Sequence, residues 1–469
     1  MAPRIFVGRW DPKFLGVGIR AKHPSDVQSF RLTDLNQKPP IAILANLSDE
    51  VVISDLSRQT VLDHEIRHFH DALLYPFGHG TTRMRIHATQ NGFTVAMILR
   101  RLGGQANALA VPLQKWLPMP EPQRAEFLEE MRRQTGREQR TPELPVVSVD
   151  DDVSGFPSGP SEFADDAEAL ITGCRFALAD YRLIEDMWRS PHRDGDEIVA
   201  PTIDTWEAAA LVCQLAAIEA ISNAEMMTRF IDWLANHGPQ PYRRGMKVLN
   251  WCLESIGWPP TLRNYLAMAT WAQLGRFKSD MRESTPVERL VSILNAVGKG
   301  KRWSADSSFT DLVRGWDEVA ECDSITGLRE ASDDFTGFLA RAATGGRLAG
   351  PRGAELLRCL SAAHQRMLAA FLDDPDSYVD PTAYRAKRDS YPTPSIGISY
   401  PQGPDAGTAW VDVTPPGWTP EIGFDASLDL ALMAELADAI FLPGEKSLQE
   451  SGRFEIRQRL NLEAFRIIR

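Results

Sequence analysis

The stretch from Ser57 to Leu74, SRQTVLDHEIRHFHDALL, constrains this chain more than any other. Apolar Val61, Leu62, Ile66, Phe69, Leu73 and Leu74 recur at helical spacing behind Ser57, a candidate N-cap, so the segment is predicted to be a helix. Within it runs His64-Glu65-Ile66-Arg67-His68. At about 100° per residue, His64 and His68 leave one face of a helix and can grip a single ion through their ring nitrogens. Glu65 lies one step around, outside the ligand set but able to take a proton from a nearby water. Asp71 returns to the same face, where it could orient a ligand histidine or Arg67. His70, about 200° from His68, points elsewhere. The plain alternative is a solvent-exposed His/Glu/Arg helix surface.

This H-E-x-x-H motif, on a helix that follows strand-like segments, resembles the zincin metallopeptidases and, within them, a gluzincin-like branch. The resemblance implies a small sheet followed by an active-site helix and a Zn2+ cofactor held by His64 and His68. It further implies Glu65 as general base for cleavage of a peptide or amide bond in a protein or peptide substrate. The metzincin extension is absent, because HEIRHFHDALL lacks the glycine and third histidine expected after the second one.

The third ligand must therefore come from elsewhere, and the gluzincin-like branch takes a glutamate from a later helix. Glu207, in Thr205-Trp206-Glu207-Ala208-Ala209-Ala210, is the first candidate. Its helix is otherwise strongly apolar, with Gln214 as the other polar residue on that face, so Gln214 is expected beside the ligands. A carboxylate on a core-facing stripe is costly unless a cation neutralises it, and three alanines would permit close helix approach. An ordinary first-turn glutamate favoured by the helix dipole is the alternative. His87 is the rival ligand and Glu168 a weaker one. Tyr75, His79, Tyr181 and Tyr242 are equal candidates to polarise a tetrahedral intermediate.

Other readings are open at this stage. A binding protein could use zinc as a staple, in which case four protein ligands should close the site. Glu65-x-x-His68 matches half of a helical di-iron oxidase site, which requires a second such motif that the sequence lacks. His70-Asp71 imitates the dyad of helical phosphohydrolases.

The 469 residues are enough for two or three domains. The expected fold is α+β and predominantly helical. Residues 1–118 form a subdomain with a small sheet (RIFVG, AILANL and EVVISD) and the motif helix. A further helix is expected at about 81–102, beyond a turn at Pro76-Phe77-Gly78-His79-Gly80. Residues 119–162 are a charged linker, and 163–372 a helical body that supplies the third ligand. Residues 373–469 are an α/β segment with a short β-hairpin, SIGISYPQG and TAWVDVTPP, followed by a helix.

The net charge of −12 offers no broad basic field, which argues against nucleic acid or an anionic membrane as main partner. Five cysteines without C-x-x-C spacing read as buried thiols in a reducing, cytoplasmic setting, and MAPRIFVGRWDPKFLGVGIRAK lacks the apolar core of a secretory signal.

Overall fold

A computed structural model of the chain describes residues 8–9, 15–21, 49–83, 85–86, 192–194, 198–200, 202–275, 285–345, 351–403, 407–428 and 431. Among them the chain is mostly helical, with one small sheet and a separate two-stranded ribbon. Helix α1 spans Asp49–Leu74, 26 residues. At about 1.5 Å per residue it is roughly 39 Å long.

The start of α1 differs from expectation. EVVISD is helical rather than a strand, and Ser57 lies buried within the helix rather than capping it. Packing explains the difference, because Ile53 and Leu56 are buried against Leu211, Leu215, Met226 and Phe230 of the next two helices, α2 (Thr202–Ile221) and α3 (Ala224–His237). Burying such a side chain gains about 1.5–3 kcal/mol, whereas a β-branched residue in a helix costs only a few tenths.

The expected turn at residues 76–80 is also helical. The chain bends at Tyr75 and is helical again over 76–83. Gly78 serves close approach instead, since a Cβ there would sit 2.5 Å from Ala72 O. Of the helix expected at 81–102, residues 81–83 and 85–86 are helical and the others lie outside the described residues.

Helix α2 packs along α1, α4 (Gln240–Ile256) and α5 (Leu262–Gln273). Ala208, Ala209 and Ala210 are buried, so that face is smooth. Gly245 lets α4 cross the first turn of α2, because a Cβ at this position would lie 2.0 Å from Asp204 O. Beside it Arg244 grips both carboxylate oxygens of Asp204, at 2.7 and 3.0 Å.

The body continues with α6 (Pro286–Gly298), α7 (Phe309–Ala320), α8 (Ser324–Gly345), α9 (Pro351–Asp373) and the short α10 (Pro375–Val379) and α11 (Pro381–Ala386). Side-chain caps start several of these: Asn223, Thr261, Ser308, Asp374 and Asp380, with a Thr285–Glu288 capping box before α6.

The sheet runs in the order β1 (Gly8–Arg9), β2 (Val17–Arg20), β5 (Ile396–Gly403), β6 (Gly407–Asp412). The C-terminal hairpin β5–β6 is as expected, but it does not stand apart. Strand β5 lies parallel to β2, with Ile398 opposite Ile19, so N-terminal and C-terminal segments share one sheet. Val17, Ile19, Ile396 and Ile398 cover Val61, Leu62 and Ile66 of α1, which is thereby wedged between sheet and helices. Strands β3 (His192–Asp194) and β4 (Ile198–Ala200) form the ribbon.

AILANL, the charged segment 119–162, the helix-like stretch 165–188 with Cys174, and most of the C-terminal helix lie outside the described residues. Cys213 and Cys252 are buried thiols, whereas Cys322 is exposed and Cys359 partly so, contrary to expectation for the last two. Among the described residues no helix is long and apolar enough to cross a membrane.

Candidate metal centre

Helix α1 buries an unusual set of polar side chains: Ser57, Thr60, His64, Glu65, Arg67, His68, His70 and Asp71. The motif is therefore not a solvent-exposed charged surface. Each buried polar group must find a partner or be very costly, and the partners divide the helix into two sides.

On one side hydrogen bonds close nearly every group, Asp71 Oδ2 being the exception among the described residues. Arg67 donates to Asp71 Oδ1 (2.8 Å), to Tyr378 O (3.0 Å), to Tyr75 Oη (3.1 Å) and to Thr270 Oγ1 (3.3 Å). Its guanidinium lies 3.9 Å from the centre of the Tyr378 ring. Asp71 also accepts from Tyr378 Oη at 2.7 Å, so of its two expected roles it takes that of orienting Arg67. His70 bonds Tyr384 Oη (2.6 Å) and Pro392 O (2.8 Å). Nε2 donates to the carbonyl, and in the neutral ring Nδ1 then accepts from the tyrosine. Burial, aided by Arg67, Arg388 and Arg366, holds the His70 pKa down to about 3. His70 and Asp71 thus face different partners and do not form a phosphohydrolase dyad.

On the other side the groups converge instead. His64 Nε2 and His68 Nε2 are 3.1 Å apart, and Glu207 Oε2 lies 3.2 and 3.1 Å from them. Tyr242 Oη is 3.3 Å from His64 Nε2. The two imidazoles meet edge to face, and the Trp206 ring lies nearly parallel to His68, with centroids 6.1 Å apart. The sequence reading overlooked Trp206, although it directly precedes Glu207 on α2.

Protons alone fit this set poorly. Burial pushes the His64 pKa down, with Glu207 pulling the other way. Burial also acts against charge on His68, but Glu207, with Glu65 and Asp71, outweighs it and raises that pKa. Burial pushes the Glu207 carboxyl up, yet His68 and His64 hold it far below the usual range. Burial thus disfavours a second proton on His64 while Glu207 favours one on His68, although their Nε2 atoms stand 3.1 Å apart. His64 Nδ1 has no hydrogen-bond partner among the described residues. A divalent cation suits such a cluster better. Three donors at about 2.0–2.2 Å from one tetrahedral ion stand roughly 3.3–3.6 Å apart, close to the spacing seen here. Among the described residues, His64, His68 and Glu207 are the one group of three His, Cys, Asp or Glu donors close enough to share an ion.

Glu65 is buried beside this cluster, near enough for its charge to act on His68 and Tyr242. Gln214 does not join it, since its amide donates to Thr60 Oγ1 at 3.2 Å. Of the three described candidates to polarise an intermediate, Tyr75 is engaged by Arg67 and Thr270 and His79 by Leu73 O, leaving Tyr242 beside the histidines. Tyr181, His87 and Glu168 lie outside the described residues.

Comparison of the chain with protein families, with curated proteins and with solved structures finds no match.

Proposed function

We propose that this chain is a zinc-dependent peptidase acting on a protein or peptide substrate. The observation that carries the reading is the convergence of His64 Nε2, His68 Nε2 and Glu207 Oε2 within 3.2 Å of one another. These three residues would hold Zn2+, which when bound acidifies water and polarises a carbonyl. Glu65 accepts the proton of the attacking water and passes it to the leaving amine. Tyr242 donates a hydrogen bond to the oxygen that gains charge. Among the described residues three ligands, not four, meet here, which favours a catalytic over a purely structural ion. A cytoplasmic setting, and no nucleic acid or membrane as main partner, belong to the same proposal.

The test pairs metal analysis with the Glu65→Gln variant. Purified protein is expected to hold about one zinc per chain and to cleave members of a fluorescence-quenched peptide library. Glu65→Gln should keep the zinc and the thermal midpoint while cleavage falls on the order of 10²-fold or more. Native protein without zinc, or Glu65→Gln with full cleavage, would reject the mechanism.

A further inference from the structure

Tyr242 reaches the metal-ligand cluster from a weak part of the fold. Helix α4 begins at Gln240 behind Pro239, which offers no side-chain cap, and Tyr242 is the third residue of that first turn. Uncapped helix ends fray, so the turn by itself is a poor platform for a hydroxyl that stands 3.3 Å from His64 Nε2. The Tyr242 ring packs at the edge of the apolar cluster that includes Leu211 and Leu215, a contact that carries no direction.

Arg244 supplies what the missing cap does not. Its Nη1 donates to Gln240 Oε1 at 3.3 Å, across the turn that carries Tyr242, while Nε and Nη2 fork onto Asp204 Oδ2 and Oδ1 at 2.7 and 3.0 Å. One guanidinium thus ties the first turn of α4 to the first turn of α2. Asp204 is a firm anchor, because its side chain is fully buried and Gly245 brings the α4 backbone onto its carbonyl. Glu207 follows three residues later on α2, so the ion pair sets the spacing between the helix that carries the carboxylate and the helix that carries the phenol. A forked guanidinium–carboxylate pair fixes angle as well as distance, and with one partner out of water it is only weakly screened.

We infer that Arg244 is a positioning residue: through Asp204 and Gln240 it holds the Tyr242 hydroxyl beside His64, His68 and Glu207. The effect on cleavage rests on the peptidase reading, whereas the placement of Tyr242 does not.

Two readouts test this. At equal zinc content, Arg244→Gln should lower kcat about tenfold or more while KM changes less than about twofold, because a hydrogen bond used in the transition state is misplaced. Once Tyr242→Phe has removed the hydroxyl, adding Arg244→Gln should cost less than about twofold more. Arg244→Lys keeps the charge but not the fork and should fall between Arg244→Gln and the parent. If Arg244→Gln unfolds, the pair Asp204→Asn with Arg244→Gln strands no buried carboxylate and should show the same loss of kcat. The second readout is fluorine NMR of the full chain labelled on the Tyr242 ring, which needs no activity. In Arg244→Gln the fluorine signal should move toward its position in the denatured chain. A raised KM at unchanged kcat would show that Arg244 binds substrate instead. Equal losses with and without the Tyr242 hydroxyl would show that it acts elsewhere, and an unmoved fluorine signal would show that packing alone seats the ring. Each of these overturns the inference. If the parent protein cleaves nothing, the peptidase reading fails and the fluorine signal alone decides whether Arg244 places Tyr242.

Discussion

Three histidines within seven residues of one helix are all buried, yet they are in opposite chemical situations. His70 is completed by a tyrosine hydroxyl and a backbone carbonyl, one accepting bond and one donating. His64 and His68 instead turn their Nε2 atoms toward each other and toward one carboxylate oxygen. Burial is common to the three, so burial alone does not mark a site. What separates them is whether ordinary donors and acceptors close the valences. Where they do, the group is structural, and where lone pairs outnumber protons, a cation is the natural complement.

The largest expected effect falls on the converging pair. His64→Ala combined with His68→Ala should abolish zinc binding, read by elemental analysis of the folded protein. Metal retained in full by the double variant would erase the distinction between the two sides.

Next comes the closed side. Arg67→Ala leaves Asp71 buried without its charge partner and should cost about 3–5 kcal/mol in urea unfolding. A loss below about 1 kcal/mol would show that the network around Tyr378 does not secure the helix.

His70→Gln should cost less, about 1–3 kcal/mol, with zinc content unchanged. It should also alter the response to acid. The folded His70 pKa of about 3 lies below its ordinary 6.5, so between these values the unfolded chain binds the extra proton and stability falls as pH falls. Removing the imidazole should flatten that slope by up to one proton, measured as unfolding free energy against pH. An unchanged slope would mean that His70 is not held neutral.

Much of the converging side was legible in the sequence, for a physical reason. The spacing of His64, Glu65 and His68 acts through local helix geometry, and Glu207 stood out as a carboxylate on an otherwise apolar helix. Tyr242 could be named but not chosen, because its place depends on how α4 crosses α2. The closed side was hardly legible. Nothing in SYVDPTAY announces that Tyr378 and Tyr384 will meet Arg67 and His70 from more than 300 residues away. Gln214 was misread for a related reason: it shares a helix face with Glu207 but meets a different stretch of α1. The strand expected at EVVISD failed because β-branched propensity is weaker than the packing of Ile53 and Leu56. The hairpin was visible from its alternation and turn, while its pairing with β2 was not, since strand partners leave no local trace.

That parallel pairing bears on how the molecule is made. Residues 17–20 wait for residues 396–399 to emerge from the ribosome. At roughly 5–20 residues per second the delay is on the order of 20–75 s. Throughout it, the side of α1 that carries Val61, Leu62 and Ile66 lacks the part of its cover that Ile396 and Ile398 supply, so the nascent chain presents a sticky flank and depends on whatever shields it during translation. The same delay means that the histidine helix is not held in its final seat until strand β5 has been synthesised.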